Sequence, residues 1–122
     1  MAMRFERQGG AVKNKYETPW HVRQYVKREL MDYKNNKKLL EEYEGSTRGL
    51  LITERRVKQI EEAFKELDSE EMEIVKAIFF EKLTQTQAEM KYYISKAQYY
   101  YTMNKAIYLC AYALDMVASG RQ

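Results

Sequence analysis

The chain has 122 residues, of which 45% are hydrophobic and 32% are charged, with one proline and a net charge of +3. This length suits one compact domain, and the composition excludes a disordered or collagen-like chain. A single cysteine excludes an internal disulfide, and with a single histidine it leaves no Cys/His set for zinc or for nucleophilic catalysis. We therefore expect no enzyme, with no catalytic residues, no metal and no cofactor.

The charges are distributed unevenly along the chain. Residues 1–30 hold seven basic and three acidic residues, whereas residues 61–83 hold three basic and eight acidic ones. A basic end is typical of proteins that contact DNA or RNA, and a solvated helix face is the simpler alternative. The acidic stretch contains no histidine, so we interpret it as a solvated face, or as a contact for a basic partner, rather than as a metal site.

The first predicted elements are a basic arm and a long helix. Residues 1–17 contain few spaced apolar residues, which indicates a flexible arm. Thr18 is placed to cap a helix, and Pro19 fits the first helical position because no donor is lost there. Apolar residues then recur at spacings of three and four, which predicts one amphipathic helix within residues 18–44.

A linker containing two glycines is predicted over residues 45–52, ahead of a helical domain over residues 53–119. Thr53 is placed to cap its first helix, and Asp68 and Glu71 have capping-box spacing before the next one. A last helix is expected from residue 96 to about residue 117, and we expect no strand. One shared core is expected to hold Phe64, Leu67, Ile78, Phe79, Leu83, Ile94, Tyr99 and Met103.

The sequence pattern that indicates a function begins at Thr84, which is placed to cap a short helix. Ile94 then supplies an apolar residue for a tight turn, and Ser95 is placed to cap the following helix. Two capped helices joined in this way are the arrangement of a helix-turn-helix, whose second helix places its exposed N-terminal side chains in the major groove of DNA. The expected DNA-binding residues are Ser95, Lys96, Ala97, Gln98, Tyr100, Tyr101, Asn104 and Lys105.

These side chains have distinct roles in this hypothesis. The amides of Gln98 and Asn104 match adenine edges, and Lys96 and Lys105 match phosphate or guanine. The tyrosines can bond phosphate or touch thymine methyl groups. A helix with five tyrosines is also typical of a packed interface between helices or subunits, and that alternative stays open.

Three short motifs precede or overlap this pattern. Residues 26–38 read VKRELMDYKNNKK, residues 55–71 contain a helix followed by DSEE, and residues 79–84 read FFEKLT. The segment 64–107 resembles region 4 of sigma factors. The order and spacing of the motifs over residues 22–117 resemble the RinA/ArpU family of phage transcriptional regulators.

This resemblance implies an all-α fold in which a long N-terminal helix is followed by a sigma region-4-like helix-turn-helix bundle. It implies a sequence-specific DNA-binding regulator that activates late packaging and morphogenesis genes in the cytoplasm of a bacterial host. The implied partner is double-stranded promoter DNA, with host RNA polymerase and further copies of the chain as candidates, and no membrane partner is expected. Tyr93 stands where the family carries glycine or asparagine, so we expect it either to adopt another backbone geometry or to accept strain.

Two other functions compete with this hypothesis. A small terminase subunit, which packages phage DNA, also joins a helix-turn-helix to a helical oligomerisation region. A protein-interaction module with a degenerate helix-turn-helix is the other alternative, because the expected recognition helix lacks arginine and is rich in tyrosine.

Overall fold

The computed structural model describes residues 16–43 and 48–117, and within them it contains helices and no strand. A π-helical turn, Lys76–Phe80, directly follows the third helix. The predicted all-helical class is confirmed, as is the long N-terminal helix. The helices are α1 (Trp20–Glu42), α2 (Arg48–Phe64), α3 (Ser69–Val75), α4 (Gln85–Tyr92) and α5 (Lys96–Ala113).

The helices share one hydrophobic core, and α5 lies at its centre because it contacts each of the other four helices. The N-terminal helix belongs to this core, to which it contributes Val22, Val26 and Leu30. Cys110 is buried in α5, and desolvation raises the pKa of its thiol to about 12.

The predicted core is confirmed for five of its eight residues, and the other three are only half-buried. Phe64 and Leu67 pack against the edge of the core, and Leu83 lies outside it. The five buried residues are Ile78, Phe79, Ile94, Tyr99 and Met103.

The π-helical turn was not predicted from the sequence. The backbone N–H of Glu81 donates to the carbonyl of Lys76, five residues earlier, at 2.9 Å. The turn ends at Phe80, and Lys82, two residues later, has a φ of 58°. Its extra residue buries the consecutive side chains of Ala77, Ile78 and Phe79.

The predicted linker over residues 45–52 is partly wrong, because α2 begins at Arg48. Leu50 extends the apolar stripe of α2 backwards, seven residues before Val57, so the helical period starts before Thr53. Thr53 is therefore inside the helix and not its cap. Residues 44–47 lie outside the described residues.

The start of α1 also differs from the prediction. Pro19 precedes the first helical residue, and the buried hydroxyl of Thr18 has no hydrogen-bond partner among the described residues, so Thr18 does not cap the helix. Tyr16, at the end of the predicted arm, is buried, with its ring 5.7 Å from the rings of Tyr101 and Tyr108. Residues 1–15 of the arm lie outside the described part of the chain.

The last helix ends at Ala113 rather than near residue 117. Asp115 takes a left-handed conformation with a φ of 61°, and the N–H of Met116 donates to the carbonyl of Ala111 at 2.8 Å. This bond closes a Schellman-type C-terminal cap. Residues 118 and 119 of the predicted domain lie outside the described residues.

Candidate nucleic-acid interface

Helix α4 begins with a complete capping box. The hydroxyl of Thr84 accepts from the backbone N–H of Gln87 at 3.1 Å, and the Gln87 side chain accepts from the N–H of Thr84 at 2.9 Å. The predicted cap at Thr84 is therefore confirmed. It fixes where α4 begins and hence the direction of the turn that follows.

The turn between α4 and α5 consists of Tyr93, Ile94 and Ser95. Tyr93 adopts a left-handed conformation, with φ 54° and ψ 44°, and its side chain is 94% exposed. Ile94 is buried in the core. Of the two expected outcomes at Tyr93, the structure shows the strained one, because the left-handed conformation is unfavourable for a residue that has a Cβ atom.

Helix α5 begins with a second capping box, built by Ser95 and Gln98. The Ser95 hydroxyl accepts from the N–H of Gln98 at 3.0 Å, and Gln98 Oε1 accepts from the N–H of Ser95 at 3.2 Å. The cap at Ser95 is confirmed. It occupies the carbonyl end of the Gln98 side chain, so bidentate pairing with adenine, which needs both ends of the amide, requires this cap to open.

The exposed residues of α5 are concentrated at its N-terminal end, apart from Tyr112 near the C-terminal end. Lys96, Ala97, Gln98, Tyr100 and Tyr101 are exposed, whereas residues 102–111 are buried or half-buried. This places most of the predicted contact residues on one accessible end of α5.

Tyr100 ties α5 to the first turn of α4. Its hydroxyl donates to Gln85 Oε1 at 2.8 Å, and Gln85 Nε2 donates to Glu89 Oε2 at 2.6 Å. This chain of side chains fixes the relative position of the two helices. Sequence reasoning missed Gln85, since no local signal pairs it with a tyrosine fifteen residues away.

Asn104 and Lys105 lie deeper than predicted. Asn104 is half-buried, and its Oδ1 atom is buried without a hydrogen-bond partner among the described residues. Lys105 Nζ lies 3.0 and 2.9 Å from the two carboxylate oxygens of Glu71. Burial opposes charge on Lys105, but the hydrogen bonds that its ammonium group donates to Glu71 outweigh burial and raise the pKa of Lys105.

The contact with Glu71 changes the interpretation of Lys105. The side chains of Lys105 and Glu71 are 17% and 15% exposed, so the ammonium group is already neutralised within the fold. Glu71 also accepts from the N–H of Asp68 at 3.0 Å, which completes the predicted capping box of α3. Lys105 therefore joins α5 to the start of α3, and its geometry does not fit the predicted contact with phosphate or guanine.

The segment that contains the predicted helix-turn-helix carries little free positive charge. Residues 69–104 contain five glutamates, four lysines and no arginine. Lys91 lies 3.1 Å from Glu81, and Lys76 lies 3.5 Å from Glu73. The described ion pairs leave Lys82 and Lys96 as the lysines of this segment with no carboxylate within 4 Å.

The described residues contain no group of three or more His, Cys, Asp or Glu side chains placed to hold a metal ion. Within the same part of the chain, no helix is long and apolar enough to cross a membrane. No protein-family model, curated protein or solved structure matches the chain.

Proposed function

We propose that the chain is a sequence-specific DNA-binding protein that uses α4, the turn and α5 as a helix-turn-helix. The observation that carries this proposal is the combination of two capped helices, a buried turn residue and an exposed N-terminal end of the second helix. A recognition helix needs this distribution, because its N-terminal side chains meet base edges while the rest of it packs in the core.

The contacts to bases and phosphates are assigned by position on α5. Lys96 and Ala97 lie in its exposed first turn and would lie closest to the bases. The free Nε2 of Gln98 can donate to a base acceptor while its Oε1 stays in the cap. Tyr101 would contact the flanking phosphates, and Tyr100 would do so once its hydroxyl releases Gln85. Asn104 lies about 12 Å along the helix from Lys96 and would reach phosphate only.

The sequence resemblance supports a more specific role for this DNA binding. It favours a phage transcriptional regulator that activates late packaging and morphogenesis genes from within the cytoplasm of a bacterial host. RNA polymerase and other copies of the chain are its proposed protein partners. Native mass measurement separates this role from a small terminase subunit, since a monomer or dimer fits the regulator and a ring of eight or more copies fits the terminase.

Selection of duplexes from a random library tests the proposal directly. We expect wild-type protein to enrich one sequence, and Ala97→Glu to lose at least about tenfold in affinity for it, or 1.4 kcal/mol, because a carboxylate in the first turn faces phosphate and base edges. Leu51→Glu is the matched control, since it adds the same charge at an exposed position on α2. Equal enrichment by wild type and Ala97→Glu would contradict the use of α5.

A second candidate function, a protein-interaction module, is favoured by the charge of the segment. Its glutamates outnumber its lysines, and its exposed tyrosines Tyr93, Tyr100 and Tyr101 suit a protein interface. Failure of the wild type to enrich any duplex at low salt would favour this module over a DNA-binding protein.

A further inference from the structure

One face of α1 carries three lysines in a row with apolar side chains between and before them. In chain order this face contains Trp20, Lys27, Met31, Lys34 and Lys38, which follow one another at spacings of seven, four, three and four residues. These spacings place all five side chains on one side of the helix, which we call the α1 stripe. Trp20 is 74% exposed and Met31 is 42% exposed, so the stripe is not covered by the described fold.

The lysines of the α1 stripe differ from most other lysines of the protein. None of the three lies within 4 Å of a carboxylate among the described residues, although Glu41 and Glu42 follow the stripe closely in the sequence. Elsewhere in the described residues, ion pairs occupy Lys37, Lys58, Lys65, Lys76, Lys91 and Lys105. The α1 stripe is therefore the described helix face with the most free ammonium groups.

The stripe begins beside α5. Arg23, one helical turn before Lys27, reaches the sulfur of Met103 on α5 at 3.5 Å. Just before α1, the ring of Tyr16 lies 5.7 Å from that of Tyr101. The edge of α1 that carries Arg23 and Lys27 thus borders the helix proposed to enter the groove.

From these contacts we propose that the α1 stripe binds the phosphate backbone of the same DNA duplex and supplies most of the salt-dependent affinity. This inference rests on the proposed function and extends it to a second surface. Lys27 and Lys38 are about 16 Å apart along the helix axis, which corresponds to about five phosphates along one DNA strand. Lysine suits this role, because a flexible point charge binds phosphate without reading sequence.

The charge of the helix-turn-helix segment explains why a second surface is needed. Binding to DNA is dominated by cations that displace counterions from phosphates, and residues 69–104 have no net positive charge. Duplex DNA also fits the stripe better than a folded acidic protein does, because its phosphates repeat at a regular spacing along a line.

A triple variant tests the proposal. Lys27→Gln, Lys34→Gln and Lys38→Gln are combined, and the control combines Lys58→Gln, Lys65→Gln and Lys76→Gln, whose ammonium groups are already paired. Both triples remove three charges, and glutamine and lysine have similar helix propensities, so circular dichroism should show both folded. Affinity for a random-sequence duplex and for the selected duplex is measured from about 50 to 200 mM salt.

In a plot of the logarithm of the association constant against the logarithm of the salt concentration, we expect the stripe triple to reduce the magnitude of the slope by about 2.7. Each lost phosphate contact contributes about 0.9 to that reduction. Its affinity should fall at least tenfold on both duplexes, and the control slope should change by less than about 1. Equal slopes for the two triples would overturn the inference.

The experiment separates this inference from the proposed function. In one outcome, Ala97→Glu loses specific binding while the two triple variants have equal salt slopes. That outcome would support the helix-turn-helix and refute the role of the α1 stripe. In another outcome, the protein binds DNA without sequence preference and only the stripe triple weakens that binding. That outcome would support the role of the α1 stripe and refute the helix-turn-helix. If the wild type binds no duplex at low salt, both proposals are refuted.

Discussion

Replacing Tyr93 with glycine should stabilise the protein, although it removes a large aromatic side chain. Tyr93 has a φ of 54° and a ψ of 44°, in the left-handed region. That conformation costs an L-residue with a Cβ atom about 1–2 kcal/mol, whereas it costs glycine almost nothing. Since the side chain is 94% exposed, its removal costs little burial.

The expected gain in the free energy of unfolding is the strain energy relieved, minus the free-energy cost of the extra conformational freedom that glycine gives the unfolded chain. That freedom costs about 0.5–1 kcal/mol, so we expect Tyr93→Gly to raise the free energy of unfolding by about 0.5–1 kcal/mol. The thermal midpoint should rise by about 2–4 °C. Urea denaturation with linear extrapolation measures the first quantity, provided that the m-value stays constant.

Two further variants at position 93 make this reasoning refutable. Tyr93→Ala keeps the Cβ atom and should change stability by less than about 0.5 kcal/mol. Tyr93→Val adds a branched Cβ atom and should destabilise the protein, because left-handed geometry is least tolerant of it. If glycine lowers stability by more than about 1 kcal/mol, the side chain makes a stabilising contact and the turn is not strained as described.

Two other predictions concern side-chain contacts between helices. Lys105→Ala should lower the free energy of unfolding by about 1–3 kcal/mol, because it leaves Glu71 mostly buried without its ammonium partner; a loss below about 0.5 kcal/mol in urea would contradict this pairing. Burial and the hydrogen bond to Glu61 raise the pKa of Tyr33 to about 12. Its raised pKa therefore contributes stability below pH 10 that is lost as pH rises from about 10 to 12. Over that interval, Tyr33→Phe should lose less stability than the wild type, because phenylalanine has no hydroxyl to ionise. The same pH dependence in wild type and Tyr33→Phe would count against this assignment.

Helix boundaries set by short-range chemistry were predictable from the sequence. The boxes at Asp68, Thr84 and Ser95 each use a side chain and a backbone N–H three residues apart, so the spacing of the residues is enough to recognise them. The apolar residues at spacings of three and four likewise predicted α1 and the exposed start of α5.

Features that depend on distant contacts were not predictable in this way. Lys105 and Glu71 are 34 residues apart, so nothing near Lys105 shows that its charge is already paired. The π-helical turn arises because Ala77, Ile78 and Phe79 all gain burial, and this tertiary gain overrides a regular α-helical pattern. Tyr16 stands in a polar stretch, so only its packing against Tyr108 shows that it is buried.

The sharp change in exposure after Tyr101 has a consequence for how the protein can evolve. The exposed positions Lys96, Ala97 and Tyr101 tolerate substitution at little energetic cost, whereas Met103, Ile107 and the buried residues around them do not. New side chains at the tip of α5 can therefore be sampled by single mutations without crossing an unstable intermediate. Three other residues of this stretch constrain drift at the tip of the helix: Tyr99 is buried, Gln98 completes the cap, and Tyr100 contacts α4.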